Sequence, residues 1–307
     1  MDTLLSIKVF CRVVETGSFV AAAHHLGLSA AMASRHIAHL EQHVGARLLN
    51  RNTRRLSLTE GGNQYFAYCQ GMLQQLEAVE SVVGHHTAAP RGLLRLTAPV
   101  PFGVRHLVNP LERYMQQYPD VELKLHLSDK EEDLAEEAFD LALRVGYRTN
   151  PSLIARKLCP VHLVLVCSPG YAARYGLAQT PGDLLKHKTI SYSYLTDEDH
   201  WNFSTPEGTI SQQINPVMRV NNGDMAVAAA VAGLGIASQP TFIAADELRS
   251  GRLIQVLPQY RQVEPALYAV YLSRQFLSAK VRTFIDFMVD WFQPDAEWDK
   301  GLPDIHP

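Results

Sequence analysis

The chain of 307 residues lacks any apolar run long enough to span a bilayer. Its longest small-apolar stretch, residues 226–237, is interrupted by Gly233 and Gly235 and falls short of the ~18 apolar residues a membrane helix needs. No membrane partner is expected. A secretion signal is lacking too: Asp2 opens a periodic segment carrying Lys8, Arg12 and Glu15, with neither a basic start nor an unbroken apolar core. A cytoplasmic location is the expectation. Cysteine is scarce, and Cys11, Cys69, Cys159 and Cys167 lie far apart without a CxxC or Cys/His ligand spacing, which argues for a reducing compartment and against structural zinc or another metal. Catalytic signatures are missing as well. There is no GxSxG elbow, HExxH pair or phosphate loop, and Gly233-Leu234-Gly235 lacks the rest of a dinucleotide fingerprint. The expectation is therefore a protein without cofactor that is not an enzyme.

What is present is a globular balance, 47% hydrophobic and 19% charged residues, over a length that suits two or three packed units. The net charge of −3 conceals an asymmetry. Residues 1–60 hold seven bases (Lys8, Arg12, Arg35, Arg47, Arg51, Arg54, Arg55) against four acids, a net of +3, so the remainder carries −6. A basic module on an acidic body implies that only the first meets phosphates.

The apolar residues Leu4, Ile7, Val9, Phe10, Val13 and Val14 recur at helical steps up to Gly17. Ser18 is placed to cap a short second helix, residues 19–26, whose alanine run 21–23 permits close helix approach. Gly27 ends it, Leu28 plugs the core, and Ser29 caps a third helix running to about residue 44. Met32, Ile37, Leu40 and Val44 are its expected anchors. The first half of that helix is crowded with small residues, as entry into a major groove about 12 Å wide requires. Arg35 is the leading base or phosphate contact; the competing reading is a solvated arginine on an ordinary bundle. Residues 46–59 then form a basic hairpin-like wing, and Arg51, Arg54 and Arg55 there supply the sequence-independent phosphate term. His36, His39 and His43 step by three and four, a spacing metal ligands can use, but no carboxylate or cysteine completes a site and polar surface roles are commoner.

Ser18-Phe19, the run 21–23, Leu26, Leu28-Ser29, Ser34-Arg35, Ile37, Leu40-Glu41, Val44-Gly45, Leu48-Leu49, Arg51 and the run Leu58-Thr59-Glu60-Gly61-Gly62 stand in one ungapped order. This pattern resembles the LysR-type transcriptional regulators. The resemblance implies a winged helix-turn-helix that reads a double-stranded DNA operator, with contacts from Ser18, Ser29, Ala30, Ala31, Met32, Ser34, Arg35, His36, His39, Arg51, Thr53, Arg54 and Arg55. Ala30 and Ala31 stand where many members carry a polar residue and His36 where glutamine is frequent, so base readout is expected to lean on thymine methyls, Arg35 and His36.

From Thr59 onward, Tyr65, Cys69, Met72, Leu76, Val79 and Val83 step by fours and threes as an a/d seam, which predicts a two-stranded coiled coil and a homodimer rather than a helix packed on its own domain. Residues 84–92 lack periodicity and form a hinge. Beyond it, strand-like segments (93–97, 121–127, 141–145, 161–167, 189–193, 216–220, 235–238, 267–271) alternate with helix-like ones (102–118, 131–138, 225–232, 242–248, 280–291), predicting α/β lobes with parallel sheets. Ligands of such sheets bind beyond strand C-termini.

The segments there, with Tyr118-Pro119, Asp140-Leu141, Ser168-Pro169 and Gly251-Arg252-Leu253, resemble the LysR-type effector domain, itself similar to periplasmic binding proteins. The implied fold is α/β with an all-α N-terminal part: winged helix-turn-helix (1–58), coiled-coil linker helix and hinge (59–89), a two-lobed effector domain (90–294; lobe I 91–161 and 267–294, lobe II 162–266) and a tail (295–307). A small-molecule effector is expected against Pro99, Val100, Phe102, Arg144, Tyr192 and Asn222, whose competing role is strand capping and hinge packing. Many members place serine or threonine near Val100 to hold a carboxylate, so an aromatic or partly apolar ligand fits as well as an acid. A dimer of dimers whose DNA modules shift as the lobes close is the expected mechanism. A solute-binding protein and a redox switch through Cys159 and Cys167 are the rivals.

Overall fold

The computed structural model describes residues 2–52, 55–83, 89–147, 153–194, 197–206, 208–272, 277–293 and 296–302. Thr53, Arg54, the hinge residues 84–88 and the tail residues 303–307 lie outside the described set, as do the side chains of Arg51, Arg55, Val79 and Val83. The chain divides into two compact units, one built on Met1–Ala88 with Asp133–Ala138 and Arg274–Ala279, the other on Ala89–Glu132, Phe139–Ser273 and Lys280–Pro307.

In the first unit, α1 (Thr3–Thr16) starts where the Asp2 carboxylate accepts from the Leu4 and Leu5 N–H groups, satisfying two of the four orphan donors of a helix start. Ser18 caps α2 (Phe19–His25) and Ser29 caps α3 (Ala30–Val44), each accepting an amide of the first turn. Between them Gly27 takes φ +63°, a left-handed conformation that costs glycine little and turns the chain sharply enough to bring α3 across α2. Val9, Phe10, Val13, Ala22, Ala23, Ala33, Ile37 and Leu40 close a dry core over which Leu48 and Leu49 fold. Met32 and Val44, expected as anchors, are instead 41% and 38% exposed. The wing is a two-stranded antiparallel ribbon, β1 (Leu49–Asn52) and β2 (Arg55–Leu58), with Leu49 opposite Leu58.

The long helix α4 (Glu60–Val83) follows. Its start is fixed by a close approach: a Cβ at Gly62 would stand 2.0 Å from the Leu48 carbonyl oxygen. Phe10 meets the rings of Tyr65 and Phe66 at 5.8 and 6.2 Å, Cys69 is buried in the same core, and Gln70 Nε2 donates to Glu15 at 3.0 Å. The expected seam is thus divided. Tyr65 and Cys69 pack on their own module, while Tyr68, 82% exposed, and Met72, 43% exposed, line another face. Both faces are apolar, so helical spacing alone does not say which one stays at home.

The larger unit holds two five-stranded sheets. One has the order β4-β3-β5-β15-β6, from β3 (Gly92–Ala98), β4 (Val121–Leu127), β5 (Leu141–Gly146), β6 (Ile154–Pro160) and β15 (Ala266–Tyr271). The other has the order β11-β8-β12-β7-β13, from β7 (Leu163–Cys167), β8 (Thr189–Tyr192), β11 (Pro216–Val220), β12 (Ile236–Pro240) and β13 (Ile254–Val256). A small antiparallel sheet of β9 (His200–Thr205), β10 (Gly208–Gln213) and β14 (Arg261–Gln262) adjoins the second.

The sheets are mixed rather than parallel. β15 runs antiparallel to β5 and β6, and β7 antiparallel to β12 and β13. The chain crosses between the sheets twice, after β6 and before β15, so the strand at each crossing enters against the local direction. The predicted helix 102–118 is two helices, α5 (Val100–His106) and α6 (Val108–Gln117). Pro110 has no N–H for the His106 carbonyl, and its ring is tolerated only in a first turn, so the helix restarts at Val108. The predicted helix 131–138 is a turn, in which Asp133 Oδ1 accepts the Ala135 and Glu136 amides. Glu132 and Glu136, and Asp133 and Glu137, would repel one turn apart in a helix. α7 (Pro169–Tyr175), α8 (Gly223–Val231), α9 (Thr241–Arg249) and α10 (Ala279–Trp291) complete the unit.

Inside, Lys280 Nζ and Asp140 Oδ2 pair at 3.3 Å with 8% and 4% of their side chains exposed. Asp140 also accepts the Arg95 N–H at 2.8 Å and Lys280 donates to the Leu93 carbonyl. The pair ties α10 to the first sheet. Part of the expected tail is core: Trp298 is 5% exposed, and Arg249 Nη2 donates to the carbonyls of Trp298 (2.6 Å) and Lys300 (3.0 Å).

Candidate functional site

α3 presents an exposed stripe of Ala31, Arg35, Ala38 and Gln42 on the side opposite Ala33, Ile37 and Leu40, with Ala30 and Met32 beside its N-terminus. Ser34 and His39 are half-buried on its flanks. The serine oxygens Ser18 Oγ and Ser29 Oγ are committed as caps, at 3.3 and 3.2 Å from the Ala21 and Met32 nitrogens. His36 does not lie on this stripe. It is 4% exposed, with Nδ1 at 2.9 Å from Ser6 Oγ. The Ser6 hydroxyl itself donates to the Asp2 carbonyl at 2.8 Å, so the His36 ring meets it as an N–H donor. The assignment of His36 to base contact is therefore corrected: Ala33, His36, Ile37 and Leu40 form one inward stripe. Ala38 and Gln42, which sequence reasoning missed, take its place on the outward face. Their spacing from Arg35, three and seven residues, was the available signal.

In the larger unit, four of the six expected effector contacts, Val100, Arg144, Tyr192 and Asn222, gather around Asp129. Asp129, following β4, accepts the Val100 N–H at 2.8 Å through Oδ1 and the Asn222 amide at 2.9 Å through Oδ2. Val100 opens α5 and Asn222 caps α8, its Oδ1 accepting the Met225 N–H at 3.0 Å. Arg144, half-buried on β5, lies 3.4 Å from the Ser128 carbonyl. Burial lowers its pKa, against the pull of Glu131, Glu132, Asp129 and Tyr192. Burial first, then Asp129 and Tyr194, push the Tyr192 hydroxyl up from its ordinary value, so it stays a donor. Pro99 is half-buried just before α5. Asp129 was missed, because an aspartate after a strand carries no periodic signal.

Phe102 departs from the expectation. It is fully buried, and its ring meets Phe242, Phe292, Trp298 and His106 at 5.5 to 6.0 Å. This aromatic cluster joins α5 to α9, and His106 Nε2 lies 2.9 Å from the Phe242 carbonyl. Beside it Arg105 pairs with Asp224 at 2.7 Å. A shallow depression of about 520 Å³ runs between Ser168, Tyr175, Gly233 and Arg252, and none of the six expected residues lines it.

The rival redox reading finds no support in the thiols. Burial raises Cys159 to about 12 and Cys167 to about 11, which leaves almost no thiolate at neutral pH. Among the described residues no cluster of three metal-ligating side chains occurs, and no helix is long and apolar enough to cross a membrane.

A helix-turn-helix with a wing, joined in sequence to two α/β sheets bridged by polar contacts, defines a ligand-responsive DNA-binding regulator. Residues 4–63 match the family described as bacterial regulatory helix-turn-helix protein, lysR family, and residues 87–293 match the LysR substrate binding domain. A helix-turn-helix-type transcriptional regulator of Haemophilus influenzae is 36% identical over 281 residues, covering 92% of this chain and 98% of the relative. A transcriptional repressor of Pseudomonas aeruginosa is 34% identical, covering 97% and 94%. Among solved structures, CrgA from Neisseria meningitidis is 30% identical with a TM-score of 0.59 over 94% of this chain and 98% of that one. The Vibrio cholerae virulence activator AphB is 28% identical with a TM-score of 0.57 over 94% and 99%. The chain belongs to the LysR family of transcriptional regulators. It is a DNA-binding regulator with an effector-binding domain, and not an enzyme.

Proposed function

We propose that operator sequence is read by the outward stripe of α3, with Arg35 reaching a base edge, Ala30, Ala31 and Ala38 meeting thymine methyls, and Gln42 extending the contact. Arg51, Thr53, Arg54 and Arg55 of the wing grip the phosphate backbone. The observation that carries this reading is the exposure of Arg35 among small side chains on a helix whose other face is locked in the core. Small residues let the helix axis approach the groove floor, and one long donor then spans the remaining distance.

The effector occupies the space between the two sheets near Pro99, Val100, Arg144, Tyr192 and Asn222, and its binding changes the angle between them. Residues 1–58, 59–89 and 90–294 act as reader, linker and sensor, with 91–161 plus 267–294 and 162–266 as the two lobes. The protein works in the cytoplasm as a homodimer, assembling further as a dimer of dimers. The exposed Tyr68 and Met72 of α4 support pairing through that helix, since a stripe of this kind is costly to leave in water.

The test uses genomic fragments selected by the wild-type protein. Arg35→Ala is expected to weaken binding to its selected sequence about 5- to 150-fold, the 1–3 kcal/mol of a base-edge contact, with little change on random DNA. Footprints unaltered in sequence and strength would rule the stripe out as reader.

A further inference from the structure

We propose that Asp129 is a carboxylate ligand tethered inside the chain's own cleft: it fills the place where a small organic acid would bridge the lobes and latches them together without one. The inference rests on the reading that the effector binds between the sheets.

Asp129 uses both oxygens, and each goes to a different lobe. Oδ1 accepts the Val100 N–H at the start of α5, and Oδ2 accepts the Asn222 side-chain amide at the start of α8. Because the Asn222 oxygen is held by the Met225 N–H, its NH2 group is oriented at Asp129, which fixes the amide's direction. A backbone N–H and an amide converging on two oxygens of one planar anion is the donor arrangement that receives a free carboxylate.

Asp129 reaches that point from a braced base. The Ser128 N–H donates to the Ala98 carbonyl at 2.9 Å, Ser128 Oγ donates to Glu132, and Arg144 reaches the Ser128 carbonyl. The charged and titratable neighbours of the site are Glu131, Glu132, Arg144 and Tyr192. With Asp129 seated, a second carboxylate would find the Val100 and Asn222 donors taken and three acids, Asp129, Glu131 and Glu132, set against the single cation Arg144. The ligand class of the intact cleft is accordingly one that leaves Asp129 in place, an uncharged or aromatic molecule lying against Tyr192 and Pro99, rather than a simple monocarboxylate.

The test is hydrogen–deuterium exchange on the full-length chain, read at peptides covering residues 99–106 and 221–227, with acetate or benzoate as probe against chloride at equal ionic strength. Two variants break the latch differently. Asp129→Ala removes the carboxylate, while Asn222→Asp keeps a capping oxygen for α8 but sets two carboxylates face to face.

Both are expected to exchange at least about tenfold faster at these peptides, the order of one lost charged hydrogen bond. Acetate should restore protection in Asp129→Ala and leave wild type unchanged. Equal exchange in wild type and both variants would overturn the latch, as would an Asp129→Ala chain that opens but ignores acetate and benzoate. Acetate protecting the same peptides in wild type would overturn the proposal while leaving the cleft as the effector site. A native effector protecting only peptides elsewhere would refute the cleft reading and leave the latch standing.

Discussion

His36 shows how a correct pattern can point a single side chain the wrong way. Its place beside Arg35 in a recognition helix suggested a base contact, yet Ala33, Ile37 and Leu40 already marked the inward stripe and His36 falls within it. Periodicity was the better guide. His36→Ala removes one buried hydrogen bond from Ser6, which keeps the Asp2 carbonyl and His39 as partners, and should cost about 0.5–1.5 kcal/mol, read by urea unfolding, with the selected DNA sequence unchanged. A variant that altered base preference at full stability would contradict this placement. The Asp140–Lys280 pair was illegible for a different reason: the partners stand 140 positions apart, and neither residue type signals burial. Truncating Asp140 to Ala leaves a buried ammonium, and a loss of about 3–5 kcal/mol is expected in chemical denaturation of the full chain.

At the scale of elements, capped helices and glycine turns were legible because their signals are local. Asp2, Ser18 and Ser29 each cap a helix from the residue just before it. The elements misjudged depend on distant partners or on missing donors: Pro110 splitting one helix into two, the acidic segment 131–138 remaining a turn, and β6, α7, β9, β10, β13 and β14 going unmarked. The tail was misread because four scattered apolar residues carry no period, yet Trp298 lies in the cluster around Phe102. Trp298→Ala should lower stability by about 3–5 kcal/mol, measured by guanidinium unfolding. Gly62→Ala forces its Cβ against the Leu48 carbonyl and should cost about 1–3 kcal/mol or more in the melting of the amino-terminal unit.

The crossovers between the sheets carry their own pH dependence. His162 Nδ1 lies 2.6 Å from Glu264 Oε1. That hydrogen bond, with the charges of Glu264 and Asp299, raises the His162 pKa against burial and Arg261. A raised folded value means that this contribution is complete below the unfolded value of about 6.5 and fades as pH rises through the folded one. His106 behaves oppositely. Burial lowers its pKa, so its contribution is present above about 6.5 and is lost as pH falls. Melting temperatures from pH 5 to 9 should therefore show His162→Gln closing its gap with wild type as pH rises, and failing to do so if the Glu264 contact does not form in solution.

For the whole molecule, the division into a basic reader and an acidic sensor was legible in the charge distribution, and the family in its ungapped motif. The strand ends that bring Val100 and Asn222 near each other were legible, but not Asp129, which accepts from both. Gly62 also has a mechanical consequence. The close approach of Gly62 to the Leu48 carbonyl seats the start of α4 on the module that carries the recognition helix, so the two helices are expected to tilt together. At 1.5 Å per residue the 24 residues of α4 make an arm about 36 Å long. A tilt of about 10° at one end then sweeps the other through about 6 Å, close to two base-pair steps along a duplex. Small rotations at the far end of such an arm would thereby be geared into changes of register on the operator.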